Sequence, residues 1–230
     1  MKVTALVPMK GHSERVPRKN LAPFMGRPLC HWILTALMSA ETIDEIVVDT
    51  DSSEVERAVK RLSDSIVVIP RPVAICGDYI SMNQVIGHDV QNTDADVYLQ
   101  THSTNPLLSW ETIDSAVQEF MAQAAEGNID SLFSVTRHQG RFFDKDLSPV
   151  NHDPATLVPT QHLDPLFEEN SNLYIFTRQS FETTGARIGR RPAMFETPAF
   201  ESFDIDTPDD FLLAEVVARG RRAADTASAI

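Results

Sequence analysis

Apolar positions along the chain repeat with two different periods. Val3-Thr4-Ala5-Leu6-Val7 opens as a short buried strand and breaks at Pro8. Over residues 28–40, Leu29, Ile33 and Leu37, with Trp32 and Ala36, recur at helical spacing, and Pro28 suits a first turn. Residues 45–50 (Glu-Ile-Val-Val-Asp-Thr) read as a buried strand, residues 53–62 as a helix and residues 66–69 as a further strand. Strands are also expected over 96–100 and 130–136, with an amphipathic helix over 110–125 between them that carries Glu111 in its first turn. Residues 166–176 pass from polar loop into strand. Thr207-Pro208 supplies a cap and first-turn proline for a last helix holding Leu212, Leu213, Val216 and Val217. Strand and helix in alternation imply an α/β fold with a mostly parallel sheet and helical crossovers. Ligands in such sheets collect beyond the carboxyl ends of the strands.

Two segments fall outside this rhythm. Residues 138–165 are rich in His, Asp, Asn and Pro, carry Phe142-Phe143 and have little periodicity. A structureless loop that long is unusual in a compact domain, and an exposed Phe pair wants a partner surface, so the segment reads as an arm packing on a second subunit. Residues 221–230 read as a frayed tail. The rest, 1–220, is one domain.

With 230 residues, 42% hydrophobic and 23% charged, the composition is that of an ordinary globular protein. No apolar run suits a signal peptide or a bilayer span, and two cysteines, Cys30 and Cys76, make neither a disulfide framework nor a zinc spacing. A cytoplasmic setting with no membrane partner is the expectation. The formal charge of −13 argues against a nucleic-acid partner, which needs a broad basic face.

Against that acidic background, the loop after the first strand carries Lys10, Arg15, Arg18 and Lys19 with only Glu14 opposing them. Such a loop at a strand end suits a specific anion, although a solvated surface loop has the same composition. Gly11 permits positive φ and close backbone approach, Ser13 adds a hydroxyl, and backbone N–H groups beside lysine and arginine make a phosphate cradle. Asp49-Thr50-Asp51, also at a strand end, allows a rival reading, a phosphatase of the haloacid-dehalogenase type with Asp49 as nucleophile. The main reading of these residues, however, is a turn and N-cap before the helix, since no partner lysine or downstream acidic pair accompanies the motif. In Ser202-Phe203-Asp204-Ile205-Asp206-Thr207, period-two alternation puts Asp204 and Asp206 on one face, where two hard oxygen ligands suit Mg²⁺. Alternatively, Asp206 only turns the chain into the last helix. Neither a Walker loop nor a dinucleotide glycine fingerprint is present.

Residues 10–20, Lys-Gly-His-Ser-Glu-Arg-Val-Pro-Arg-Lys-Asn, resemble the nucleotide-binding signature of the N-acylneuraminate cytidylyltransferases (CMP-sialic acid synthetases). Ser13, Pro17, Lys19 and Asn20 match, and Lys10 stands where that family usually has arginine. Further similarities follow in order: Arg71-Pro72 with Asp78 and Ser81; Gln100 with Pro106 and Leu107; Asn170, where Ser171 and Asn172 replace Gly and Ala; and the closing Asp204-x-Asp206-Thr207. The resemblance implies a three-layer α/β/α Rossmann-like nucleotidyltransferase fold with a dimerisation arm, hence a homodimer. It implies CTP and an acidic, hydroxylated acceptor such as a sialic acid-like nonulosonic acid, an octulosonate or a phosphonate, giving a CMP-sugar and pyrophosphate. Lys19, Lys10 and Arg15 would be catalytic. Lys10, Gly11, His12, Ser13, Asn20, Arg71, Asp78 and Ser81 would meet the nucleotide. Gln100, His102, Ser103, Asn170 and Asn172 would meet the acceptor, and Asp204 and Asp206 would hold Mg²⁺. A non-catalytic nucleotide-binding homologue is the other reading, against which the Asp204–Asp206 pair speaks.

Overall fold

The computed structural model describes residues 1–228. Strand β1 (Val3–Leu6) leads through the basic loop to a small ribbon, β2 (Pro23–Phe24) and β3 (Arg27–Pro28), and then to α1 (Cys30–Ser39). There follow β4 (Glu45–Thr50), α2 (Ser53–Leu62), β5 (Val67–Pro70), α3 (Met82–Gln91), β6 (Val97–Thr101), α4 (Trp110–Ala125) and β7 (Ser131–His138). The chain closes with β8 (Leu166–Thr177), α5 (Arg178–Thr184), β9 (Pro192–Glu196) and α6 (Pro208–Ser228). The main sheet has seven strands in the order β5-β4-β1-β6-β8-β7-β9. β8 runs antiparallel to both of its neighbours, and every other adjacent pair is parallel.

Each central strand is apolar on both faces, as a sheet covered on both sides requires. Val3, Ala5, Ile46, Val48, Val97, Leu99, Leu173 and Ile175 point into a core completed by α1, α2 and α4. Leu6, Val47, Tyr98, Tyr174 and Phe176 point the other way, against Ile86 and Val90 of α3 and Phe181 of α5. A third cluster, with Phe24, Leu29, Leu107, Ile205, Ala214 and Ala218, fastens α6 to the ribbon. The sequence pattern does not disclose the ribbon, because its Met25-Gly26 turn lacks the usual Asn-Gly. Both residues nevertheless take positive φ, 49° and 86°, as a two-residue hairpin demands.

Helices α3 and α5 and strand β9 are also absent from the sequence expectation. A signal for α3 exists: Ser81 and Gln84 form a capping box, each side chain bonding the other's backbone N–H. For α2, the Ser52 hydroxyl caps the start, with Glu54 and Glu56 in the first turn and Lys60 and Arg61 in the last. The tail expected to fray from 221 is instead helical through Ser228. Arg221 anchors that end of α6, donating to the Leu107 carbonyl at 3.1 Å and pairing with Glu201 at 3.3 Å. Residues 229–230 of that expected tail lie outside the described residues.

Residues 139–165 sit at the tip of a β7–β8 ribbon paired out to His138 opposite Leu166. The loop is folded on itself: Asn151 Nδ2 donates to the Gly140 and Asp164 carbonyls, and Gln139 Nε2 to those of Thr160 and Leu163. Phe142 is half-buried against His138, whereas Phe143, Leu147, Val150 and Leu157 are exposed.

Candidate active site

The loops following β1 and β6, together with residues 204–206, enclose a cleft of about 330 Å³ beyond the carboxyl ends of the strands. Lys10, His12, Ser13, Arg15, Lys19, Asn20, Arg71, His102, Ser103, Asp204 and Asp206 line it, as do Pro8, Glu14, Met82 and Thr104. The walls are fixed by hydrogen bonds within the protein. Asn20 donates to the Lys10 carbonyl at 2.8 Å and accepts from the Ser103 hydroxyl at 2.5 Å, tying the basic loop to the loop after β6. Asp51 Oδ1 accepts the Gly11 N–H at 2.6 Å. The Gly11 amide is thus spent on holding the loop, and its φ is not positive. What requires glycine is proximity: a Cβ there would lie 2.6 Å from Ser52 Cβ.

Two cations converge on one acid. Lys19, largely buried, donates to the Ile205 carbonyl at 2.7 Å and to Asp206 Oδ1 at 3.1 Å, and Arg15 reaches Asp206 Oδ2 at 3.1 Å. Lys10 pairs with Asp78 at 2.6 Å at the rim, which holds the Asp78 carboxyl below its ordinary range. Residues 203–207 are not a regular strand, yet the alternation holds: Ile205 is fully buried while Asp204 and Asp206 face the cleft. Desolvation in the cleft, with the charge of Asp206, raises the Asp204 carboxyl above the usual range. Two carboxylates on either side of a buried Ile205, both lining one cleft, are a donor set suited to a hard divalent cation.

A second cleft adjoins the first and shares Asp204 and Asp206 with it. Thr136, Glu168, Asn170, Ser171 and Asp210 are among its walls. Asn170 is heavily engaged there: its oxygen accepts from Ser134, and its amide donates to Thr136 and Thr197 at 3.0 and 2.6 Å.

His102, at the floor between β6 and the cleft, is pushed down to about 4, chiefly by burial and then by the charges of Arg187 and Lys19. It is a neutral imidazole at pH 7 and a weak base. Arg187 lies 3.9 Å over the Tyr174 ring and donates to Gln100 Oε1 at 2.5 Å. The three arginines 187, 190 and 191, close in sequence, therefore separate. Arg187 turns toward the site, while the backbone N–H groups of Arg190 and Arg191 are held by Asp130.

Several residues expected at the ligand take other positions. Gln100 and Asn172 are fully buried behind the cleft, Gln100 holding Arg187 and Asn172 donating to the Glu201 carbonyl at 2.6 Å. Ser81 caps α3, Gly11 lies outside the lining, and Asp78 is at the rim against Lys10. None of these five residues is among those lining either cleft.

A basic loop and a carboxylate pair now meet in one cleft beyond a mostly parallel sheet, and comparison gives the lineage. The family model described as "Cytidylyltransferase" matches residues 4–226. The chain belongs to the cytidylyltransferase family. Among curated cytidylyltransferases, the N-acylneuraminate cytidylyltransferase B of Danio rerio is 29% identical over 218 residues, covering 92% of this chain and 50% of that protein. The pseudaminic acid cytidylyltransferase of Campylobacter jejuni is 24% identical over 229 residues, 94% of this chain and 96% of that one. The chain thus spans about half the length of the vertebrate relatives it matches. A solved structure of CMP:2-keto-3-deoxy-manno-octonic acid synthetase complexed with CTP superposes with a TM-score of 0.67 at 16% identity, covering 97% of this chain and 100% of that one. That likeness establishes the cytidylyltransferase fold.

The geometry removes the phosphatase reading. Asp49 is fully buried, and one of its carboxylate oxygens is bound by the Arg71 guanidinium. A nucleophile must reach its phosphorus, and this carboxylate faces the core side of α3. No helix among the described residues is long and apolar enough to cross a membrane.

Proposed function

We propose that this chain is a cytidylyltransferase that joins CTP to an acidic, hydroxylated sugar of the nonulosonic or octulosonic class, releasing pyrophosphate. One observation carries the reading: two clefts, one basic and one lined by hydroxyl, amide and carboxylate groups, meet at Asp204 and Asp206. A reaction between two substrates needs two sites with the reacting atoms at their junction.

In this reading the triphosphate lies along the basic loop. Lys19, Arg15, Lys10 and Arg71 offset its charge, and the Ser13 and Ser103 hydroxyls supply neutral donors. The acceptor occupies the second cleft. Its hydroxyl oxygen bonds to the α-phosphorus as the bond from that phosphorus to the β-phosphate oxygen breaks; pyrophosphate leaves with that oxygen, and the hydroxyl proton passes to solvent water in the open cleft. Asp204 and Asp206 would hold Mg²⁺, which when bound supplies Lewis-acid stabilisation to the phosphates. Before substrate arrives, Lys19 and Arg15 keep the Asp206 charge compensated. His102, held neutral, can donate or accept a hydrogen bond to substrate but is too weakly basic at pH 7 to take up the hydroxyl proton with much driving force. The exposed Phe143, Leu147, Val150 and Leu157 on the ribbon tip give a homodimer its contact.

The test is calorimetry with CTP, ATP, GTP and UTP, with and without Mg²⁺, followed by a screen of acidic acceptors for pyrophosphate release. Selective CTP binding and acceptor-dependent release are expected. If no nucleoside triphosphate binds, the proposal fails.

A further inference from the structure

On the far side of Arg71 from the cleft, three ligand-type side chains converge that the proposed chemistry does not use. Asp49 lies near the end of β4, and His88 and Asp89 follow one another on α3. Asp49 is 0% and Asp89 1% exposed. Asp49 Oδ1 receives the Arg71 guanidinium; with both carboxyls ionised, Asp49 Oδ2, both oxygens of Asp89 and His88 Nδ1 are buried without a hydrogen-bond partner among the described residues, and only a protonated Asp89 would bond Asp49. Unpaired carboxylates in an interior are costly, so these atoms want an occupant.

The distances say which. His88 Nδ1 stands 3.4 Å from Asp49 Oδ2 and 3.5 Å from Asp89 Oδ1, and one donor atom from each of the three residues lies within 4.8 Å of the others. These separations are too long for good N–H···O hydrogen bonds. Bonds of about 2.1 Å from imidazole nitrogen and carboxylate oxygen to one tetrahedral ion would set neighbouring ligand atoms about 3.4 Å apart. A proton shared between the two carboxyls would satisfy them and leave the imidazole nitrogen unpaired. One cation satisfies all three residues together.

We propose that Asp49, His88 and Asp89 form a divalent-metal site of one imidazole nitrogen and two carboxylate oxygens, with a water completing the tetrahedron, a donor set suited to Zn²⁺. The His88 side chain is 19% exposed, which leaves an entry path from the surface. The site shares no residue with the Asp204–Asp206 pair and does not depend on the activity proposed above. Its role is architectural. The ion fastens α3 to the end of β4 and fixes the carboxylate that orients Arg71, a residue of the cleft wall.

The experiment uses the full chain carrying Asp206→Ala, so that the cleft carboxylates contribute little, stripped with chelator and dialysed. Zn²⁺ binding is measured by calorimetry and metal analysis, and Co²⁺ is added separately as a spectroscopic probe. One equivalent of Zn²⁺ per chain, a raised Tm and the intense visible absorption of tetrahedral Co²⁺ are expected. Adding Asp89→Asn or His88→Gln should each weaken Zn²⁺ binding at least about tenfold, since even outer-sphere partners of a metal are worth that much. The proposal is overturned if the chain takes up no stoichiometric Zn²⁺, or if uptake persists unchanged in a folded variant of either residue. The Co²⁺ spectrum needs neither variant, and an octahedral spectrum also overturns it.

Discussion

The Lys19 ammonium lies 3.1 Å from Asp206 Oδ1, joining the first loop of the chain to a segment 187 residues further on. Neither residue makes a site alone. The lysine gains a fixed position from the Ile205 carbonyl, and the carboxylate gains a counter-charge until a cation and phosphates arrive.

Lys19→Ala should therefore lower kcat by at least about 100-fold, the scale of losing one preorganised charge-stabilising donor. The fold should survive, because the residue anchors a loop and fills no core. Steady-state pyrophosphate release with a circular dichroism melt checks both halves. Turnover within a few-fold of the parent would remove Lys19 from the mechanism.

Gly11→Ala places a methyl 2.6 Å from Ser52 Cβ, so the loop or the start of α2 must shift. A loss of about 1–3 kcal/mol is expected for such overpacking, with weaker CTP binding. Ser52→Gly relieves the clash at the cost of only a few tenths of a kcal/mol as a helix cap. In the double variant, chemical denaturation should show most of the stability returning. If it does not, close approach is the wrong reason for this glycine.

Ser171 takes φ 59° where β8 departs from regular pairing beside Ser134. This left-handed conformation strains any residue with a Cβ, so Ser171→Gly should stabilise the protein by up to about 1 kcal/mol, offset in part by the entropy of glycine. Calorimetric Tm should rise by about 2–4 °C at most. A fall in Tm would mean that the Ser171 hydroxyl, 3.3 Å from that of Tyr174, matters more than the strain.

Asp89 is pushed up to about 8, first by burial and then by the charge of Asp49. In the chelator-treated protein its carboxyl is protonated when folded and ionised when unfolded over roughly pH 4 to 8. The folded state binds the extra proton, so this contribution to stability is full below the unfolded value and declines as pH rises to about 8. Asp89→Asn, neutral at every pH, should flatten the decline in a series of melts across that window. A parallel slope in parent and variant would remove Asp89 as its source.

Much of the fold is legible in the chain because burial imposes periodicity. Ile46, Val47 and Val48 read as a strand and are covered on both faces, and α1, α2 and α4 follow from the spacing of their apolar residues. The basic loop is legible by contrast, four cations in a chain of charge −13, and the Asp204–Asp206 pair by alternation around a buried Ile205. Tertiary structure alone decided the rest. Whether Gln100, Asn172 and Ser81 face a ligand or hold the wall depends on partners far along the chain, Arg187 and Glu201, or on a cap that competes for the hydroxyl. Arg187 parts from Arg190 and Arg191 because Tyr174 and Asp130 stand on different sides of that segment. Asp49, His88 and Asp89 meet only once α3 packs on β4. A residue's type states which bonds it can make, whereas packing determines which atoms are left to make them.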